Sequence, residues 1–111
     1  MRARERGRAT AGAAKGRPKA RGETYVFRLF VAGHEANSTL ARGNLARLCR
    51  EHLEGRHEIE IVDVMKDAAA AYGNGVLVTP TLLLVKPRPR VTLLGSLNDE
   101  GQVLAALRLG R

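Results

Sequence analysis

The chain has 111 residues, which suits one small domain with a single core. Its one cysteine, Cys49, excludes an internal disulfide and a CxxC redox pair, and no apolar stretch reaches the ~18–20 residues of a membrane span. The net charge of +8 is uneven: residues 1–22 hold eight Lys/Arg against one acid, Glu5, and the rest is nearly neutral.

Residues 1–22 have no large apolar residue after Met1, so they cannot bury enough surface to offset their ordering entropy. We expect a disordered basic extension there and a folded domain over residues 23–111. The extension fits a tether for nucleic acid or an acidic partner, or a solvated segment with no role. Two Tyr, two Phe and no Trp argue against a stacking surface for nucleic acid. The first residues lack the apolar core of a secretory signal, so the expected location is the cytoplasm.

Residues 25–31 carry Tyr25, Phe27, Leu29 and Val31 on one face and Val26, Arg28 and Phe30 on the other, which predicts a central strand. Residues 32–36 form a loop, and Asn37 or Ser38 should cap a helix. Ala41, Leu45, Leu48, Cys49 and His52 share its inner side, with Leu53 beside them. Arg42, Arg47, Arg50 and Glu51 lie outward, and Gly55 marks the stop. On that stripe Cys49 reads as a small core residue rather than a reactive thiol.

A second strand is predicted over 57–64, with Ile59 and Ile61 on one face and Glu58, Glu60, Val62 and Val64 on the other. The intervening helix makes it parallel to the first. Asp67 should cap a short helix over 68–72, ended by Gly73-Asn74-Gly75. Residues 75–86 are the longest apolar run and show no polar alternation, so we expect cover on both faces. Pro80 cannot sit inside a central ladder, so the third strand should begin just after a Thr79-Pro80 bend, cis or trans. Residues 87–90 turn the chain into an antiparallel fourth strand over 91–94. Ser96 and Asp99 resemble a capping box, and Gln102 to Leu107 with Leu109 form a last amphipathic helix. The fold class is α/β: a βαβαββα chain with a four-stranded mixed sheet. That is the thioredoxin-like order, with Pro80 where that fold keeps its cis-proline.

The loop that would carry thioredoxin's catalytic cysteines holds none here. His34 and Glu35 are adjacent and cannot act as a helical metal pair. His52 and His57 flank Gly55 without a third ligand. Glu58 and Glu60 share a strand face, but no apolar pocket is visible to raise either pKa. No catalytic residue, cofactor or metal is expected.

Tyr25-Val26-Phe27-Arg28-Leu29-Phe30-Val31-Ala32-Gly33 with Asn37-Ser38 resembles the start of the circadian clock family KaiB. Val62-Asp63-Val64-Met65-Lys66, Val78-Thr79-Pro80-Thr81-Leu82 and Leu94-Gly95-Ser96-Leu97 continue the resemblance, which runs without gaps from about residue 23 to 109. It implies a non-enzymatic regulator that binds KaiC, a hexameric ATPase and autokinase, and then captures KaiA or a histidine kinase. It implies partner contacts at Lys66, Tyr72, Gly73, Asn74 and Gly75, and at Glu58 and Glu60. Typical members have a lysine at Glu60, in a region used for KaiA, and another at Gly75, near the KaiC-facing surface. They also carry an acidic C-terminal tail. These departures argue against KaiA capture and resemble a system without KaiA.

The family has two folds, one thioredoxin-like and one a ground-state tetramer with a rearranged C-terminal half, so a homo-oligomer stays open. Thr79, Pro80, Ala106 and Arg108 are the fold-determining candidates. Typical members carry glycine and aspartate at the last two. Ala for Gly favours helix by about 0.8–1 kcal/mol, and Arg near a helix C-terminus contributes about 0.3–1 kcal/mol. The thioredoxin-like fold is therefore expected, with the ground-state fold as the alternative. Two other functions compete: a thioredoxin-like redox protein using Cys49, and a nucleic-acid-binding protein acting through residues 1–22.

Overall fold

A computed structural model describes residues 23–109; the predicted basic extension lies outside the described residues. The elements are β1 (Tyr25–Val31), α1 (Ala36–His52), β2 (His57–Asp63), α2 (Ala68–Gly73), β3 (Thr81–Lys86), β4 (Val91–Leu94) and α3 (Glu100–Leu107). The sheet order is β2-β1-β3-β4. β1 runs parallel to β2, with Phe27 opposite Ile59, and antiparallel to β3, with Phe27 opposite Leu84. β4 returns antiparallel to β3.

The two central strands lack polar alternation because both faces are covered. Phe27, Leu29, Val31, Leu82 and Leu84 pack with Ala41, Leu45, Leu48, Cys49 and Leu53 of the α1 segment and with Val103 and Leu107 of α3. On the other face Phe30, Val62 and Leu83 pack with Ala71 of α2. Each fully buried Leu or Phe contributes about 1.5–3 kcal/mol of transfer free energy, so β1 and β3 hold the layers together. Residues 91–94 are strand and 100–107 helix, which is the thioredoxin-like arrangement. The Thr79–Pro80 bond is cis, as are Lys86–Pro87 and Arg88–Pro89.

Several local expectations are corrected. Glu35 caps α1, not Asn37 or Ser38; its carboxylate accepts from the N–H groups of both residues. Ser38 is instead buried, and its hydroxyl accepts from Ala32 N–H at 3.1 Å. α1 ends at a Leu53 cap, so the left-handed Gly55 lies two residues beyond it. Asp99 caps α3, accepting from Gln102 N–H, and Ser96 lies outside the cap. Arg108 is not within the last turn of α3 but is its left-handed cap, with φ 63°. Residues 77 and 78 are exposed, because the burial of the apolar run begins only at Pro80. Ile61 is 42% exposed on the edge strand β2.

Candidate partner-binding surface

The C-terminal end of β1, with the adjacent α2 segment, gathers most of the large exposed apolar side chains among the described residues. Met65 is 75% exposed, Tyr72 86%, Leu77 90%, Val78 51% and Leu94 65%. The connection 74–80 is nevertheless firmly built. Asp67 caps the first turn of α2 by accepting from Ala70 N–H at 3.1 Å. Asn74 closes the last turn, its amide donating to the Ala70 carbonyl at 2.7 Å. Gly75 then adopts φ +74°, a conformation that costs a side-chain-bearing residue about 1–2 kcal/mol. Val76 N–H returns to the Ala71 carbonyl at 2.9 Å. Ala71 and Val76 face inward, which leaves Tyr72 and Leu77 directed to solvent.

The structure therefore groups Lys66, Tyr72, Gly73, Asn74 and Gly75 at this one end, all exposed. Glu58 and Glu60 lie apart from them, exposed on the edge strand β2. One link joins the two sets. Arg28 of β1 donates from Nε to Glu60 Oε1 at 3.0 Å, and its Nη1 reaches Asn74 Oδ1 at 3.5 Å. Sequence reasoning placed Arg28 on this face but gave it no partner. The parallel register, with Arg28 opposite Glu60, supplies one. Glu60 is thus an ion-pair partner rather than half of a carboxylate pair.

The loop after β1 is held by oxygen acceptors. Asp63 accepts from the N–H groups of Gly33 and Met65, both at 3.0 Å, and these bonds hold its carboxyl below the usual range. Glu35 is lowered in the same way by the amides of Asn37 and Ser38. Cys49 is fully buried, and burial pushes its thiol up to about 11, so thiolate is scarce at neutral pH.

His34 is exposed, and His57 Nδ1 lies 2.8 Å from the Leu53 carbonyl oxygen. His52 does acquire a carboxylate neighbour: its Nε2 lies 3.2 Å from Glu100 Oε2, and Glu51, His52 and Glu100 place ligand-type atoms within 4.8 Å of one another. Sequence spacing missed this because Glu100 comes from α3. Arg47 Nη2, at 3.4 Å from Glu100 Oε1, already supplies a cation to that carboxylate. The bond from His52 and the Arg47 guanidinium hold the Glu100 carboxyl below its usual range. Among the described residues no helix is long and apolar enough to cross a membrane.

Comparison with known proteins gives a concordant result. The KaiB domain model matches residues 28–109. The circadian clock oscillator protein KaiB of Microcystis aeruginosa is 37% identical over 87 residues, covering 78% of this chain and 84% of that one. The protein of the same name from Nostoc punctiforme is 36% identical with the same coverage. Among solved structures, the N-terminal domain of Synechococcus elongatus SasA superimposes with a TM-score of 0.64 at 19% identity, covering 85% of this chain and 92% of that domain. Chloroplastic thioredoxin z gives a TM-score of 0.66 at 17% identity, over 78% and 79% of the two chains. These two similarities show a thioredoxin-like fold. The match of the family model across strands, helices and the α2 connection shows that the chain belongs to the KaiB family.

Proposed function

We propose that this protein is a clock-type regulator that docks on a KaiC-like ATPase through the α2 end of the sheet and modulates it without chemistry of its own. The observation that carries this reading is the concentration of exposed apolar side chains at that end, on a connection fixed by its own hydrogen bonds. Exposed Tyr and Leu on a rigid frame suit the anchors of a protein interface, because they lose little entropy on docking. Lys66 and residues 72–75 would line the contact with the ATPase. Glu58 and Glu60 would form a separate edge contact for a second protein such as a histidine kinase. Arg28 occupies Glu60, so a partner selecting a lysine there, as KaiA is inferred to do, would be poorly served. The action would take place in the cytoplasm.

The test is direct. The full chain, mixed with a KaiC-like hexamer and nucleotide, should co-elute with it in size-exclusion chromatography. Elution as two separate species at micromolar concentration, with every KaiC paralogue of the source tested, would overturn the proposal. The redox alternative is disfavoured by the burial of Cys49 and its raised thiol pKa.

A further inference from the structure

The end of α1 and the start of α3 meet through polar side chains. Asn44, Arg47 and Glu51 follow one another at spacings of three and four, so they share one face of α1. That face meets the segment leading into α3. Asn44 donates to the Ser96 carbonyl and to Asn98 Oδ1, both at 2.9 Å. Asp99 caps α3 and fixes Glu100 as its first residue. Arg47 Nη2 lies 3.4 Å from Glu100 Oε1, while His52 Nε2 lies 3.2 Å from Oε2. One carboxylate oxygen is thus tied to a cation, and the other is turned toward an imidazole. Glu51 brings a third ligand-type atom within 4.8 Å of those of His52 and Glu100.

We propose that Glu51 and His52 of α1 with Glu100 of α3 form a binding site for a divalent transition-metal ion of the zinc type, which clamps the start of α3 onto α1. Two ligand atoms about 2.0–2.2 Å from one ion, at tetrahedral to octahedral angles, stand roughly 2.8–3.6 Å apart. The His52–Glu100 pair already has such a separation. Glu51 is exposed, so its carboxylate reaches the ion by a rotamer change that disturbs no core. The donor set selects the ion. An imidazole nitrogen suits zinc, copper or nickel, whereas magnesium and calcium take oxygen ligands. Two carboxylates balance the charge of the dication. Arg47 orients Glu100 through Oε1 and leaves Oε2 for the ion, as an outer hydrogen-bond partner does in metal sites. A plain ion pair between His52 and Glu100 gives Glu51 no part, which separates the two readings. The ligands converge only when α3 is docked on α1, so the ion stabilises the folded arrangement by mass action.

Isothermal titration calorimetry of the tag-free full chain with zinc chloride tests this. One ion per chain is expected. At zinc about 100 times the measured Kd, the folded-to-unfolded ratio in denaturant melts should rise about 100-fold. Glu51→Gln should leave the metal-free melt unchanged, because the side chain is exposed, and should raise the zinc Kd at least about 10-fold. His52→Ala should abolish binding, and His34→Ala, in the exposed loop after β1, should keep it. Four results would overturn the proposal. One is no heat of binding at roughly millimolar zinc. Another is a parent-like Kd in Glu51→Gln or His52→Ala, which would place the ion elsewhere. A third is magnesium binding as tightly as zinc, which would reduce the site to a pair of surface carboxylates. The last is zinc binding with no gain in stability, which would remove the clamp.

Discussion

Leu77→Ala is the sharpest probe of the proposed docking surface. Leu77 is 90% exposed, so truncation removes almost no folded-state contact. Stability should stay within about 0.5 kcal/mol of the parent, the usual range for a surface change. If the ATPase buries this side chain, the change deletes three carbons from the interface. At about 0.8 kcal/mol per carbon the loss is about 2.4 kcal/mol, or roughly a 50-fold rise in Kd. Thermal melting gives the first quantity, and a binding titration against the KaiC-like hexamer gives the second. Arg90→Ala, at the other end of the sheet, serves as the control and should leave the hexamer affinity unchanged. A Kd within twofold of the parent for Leu77→Ala would refute the assignment of this end as the docking surface. A large fall in Tm would show instead that Leu77 packs on the domain.

Other substitutions test the framework. Glu60→Lys places like charges at directly opposed strand positions with Arg28; the pair is partly exposed, so it should cost only a few tenths of a kcal/mol and lower the Tm by about 1–2 °C, less at high salt. The carboxyls of Glu35, Asp63 and Glu100 are held below their ordinary values. Their stabilisation is present above the unfolded carboxylate range of about 4 and is lost as pH falls below it, so the Tm should drop between about pH 4 and 2, and Glu35→Gln should flatten that slope. Ala106→Gly should destabilise the thioredoxin-like fold by about 1 kcal/mol, whereas Arg108→Gly should stabilise it by up to about 1 kcal/mol, both read by thermal melting with the secondary structure followed by NMR.

The order of elements was legible because its signals are local. Two two-faced apolar runs marked the central strands, Pro80 fixed the start of β3, and Asp67 with Gly73-Asn74-Gly75 bounded α2. Local signals failed where tertiary context chose among equivalent residues. Glu35, Asn37 and Ser38 can all cap a helix. Glu35 takes the role because the Ser38 hydroxyl is committed to Ala32 inside the core. Leu77 and Val78 read as buried because composition does not reveal that no layer covers them. The Arg28–Glu60 and His52–Glu100 contacts join residues 32 and 48 positions apart, and no spacing rule reaches that far. The exposure of the apolar side chains at the α2 end was not legible, since exposure depends on the finished fold.

The C-terminal segment shows why substitutions there weigh on the choice of fold. α3 has only eight residues, too few to be stable alone in water. It is flanked by two non-glycine residues in left-handed geometry, Leu97 with φ 66° and Arg108 with φ 63°. Each such residue costs about 1–2 kcal/mol. The compensation comes from α1. Asn44 donates to the Ser96 carbonyl and to Asn98 Oδ1, both at 2.9 Å, and Arg47 and His52 hold Glu100. Leu97, Val103 and Leu107 enter the main core. The segment is therefore held by tertiary contacts rather than by its own preferences, and a second packing of it would forfeit little local energy. On this view Ala106 and Arg108 do not act alike. Ala106 removes the helix penalty of glycine. Arg108 gains about 0.3–1 kcal/mol from the helix dipole and loses about 1–2 kcal/mol in left-handed geometry, a conformation that aspartate tolerates better than arginine. A bias toward the thioredoxin-like fold would then rest on Ala106 and on the grip of α1, with Arg108 slightly against it.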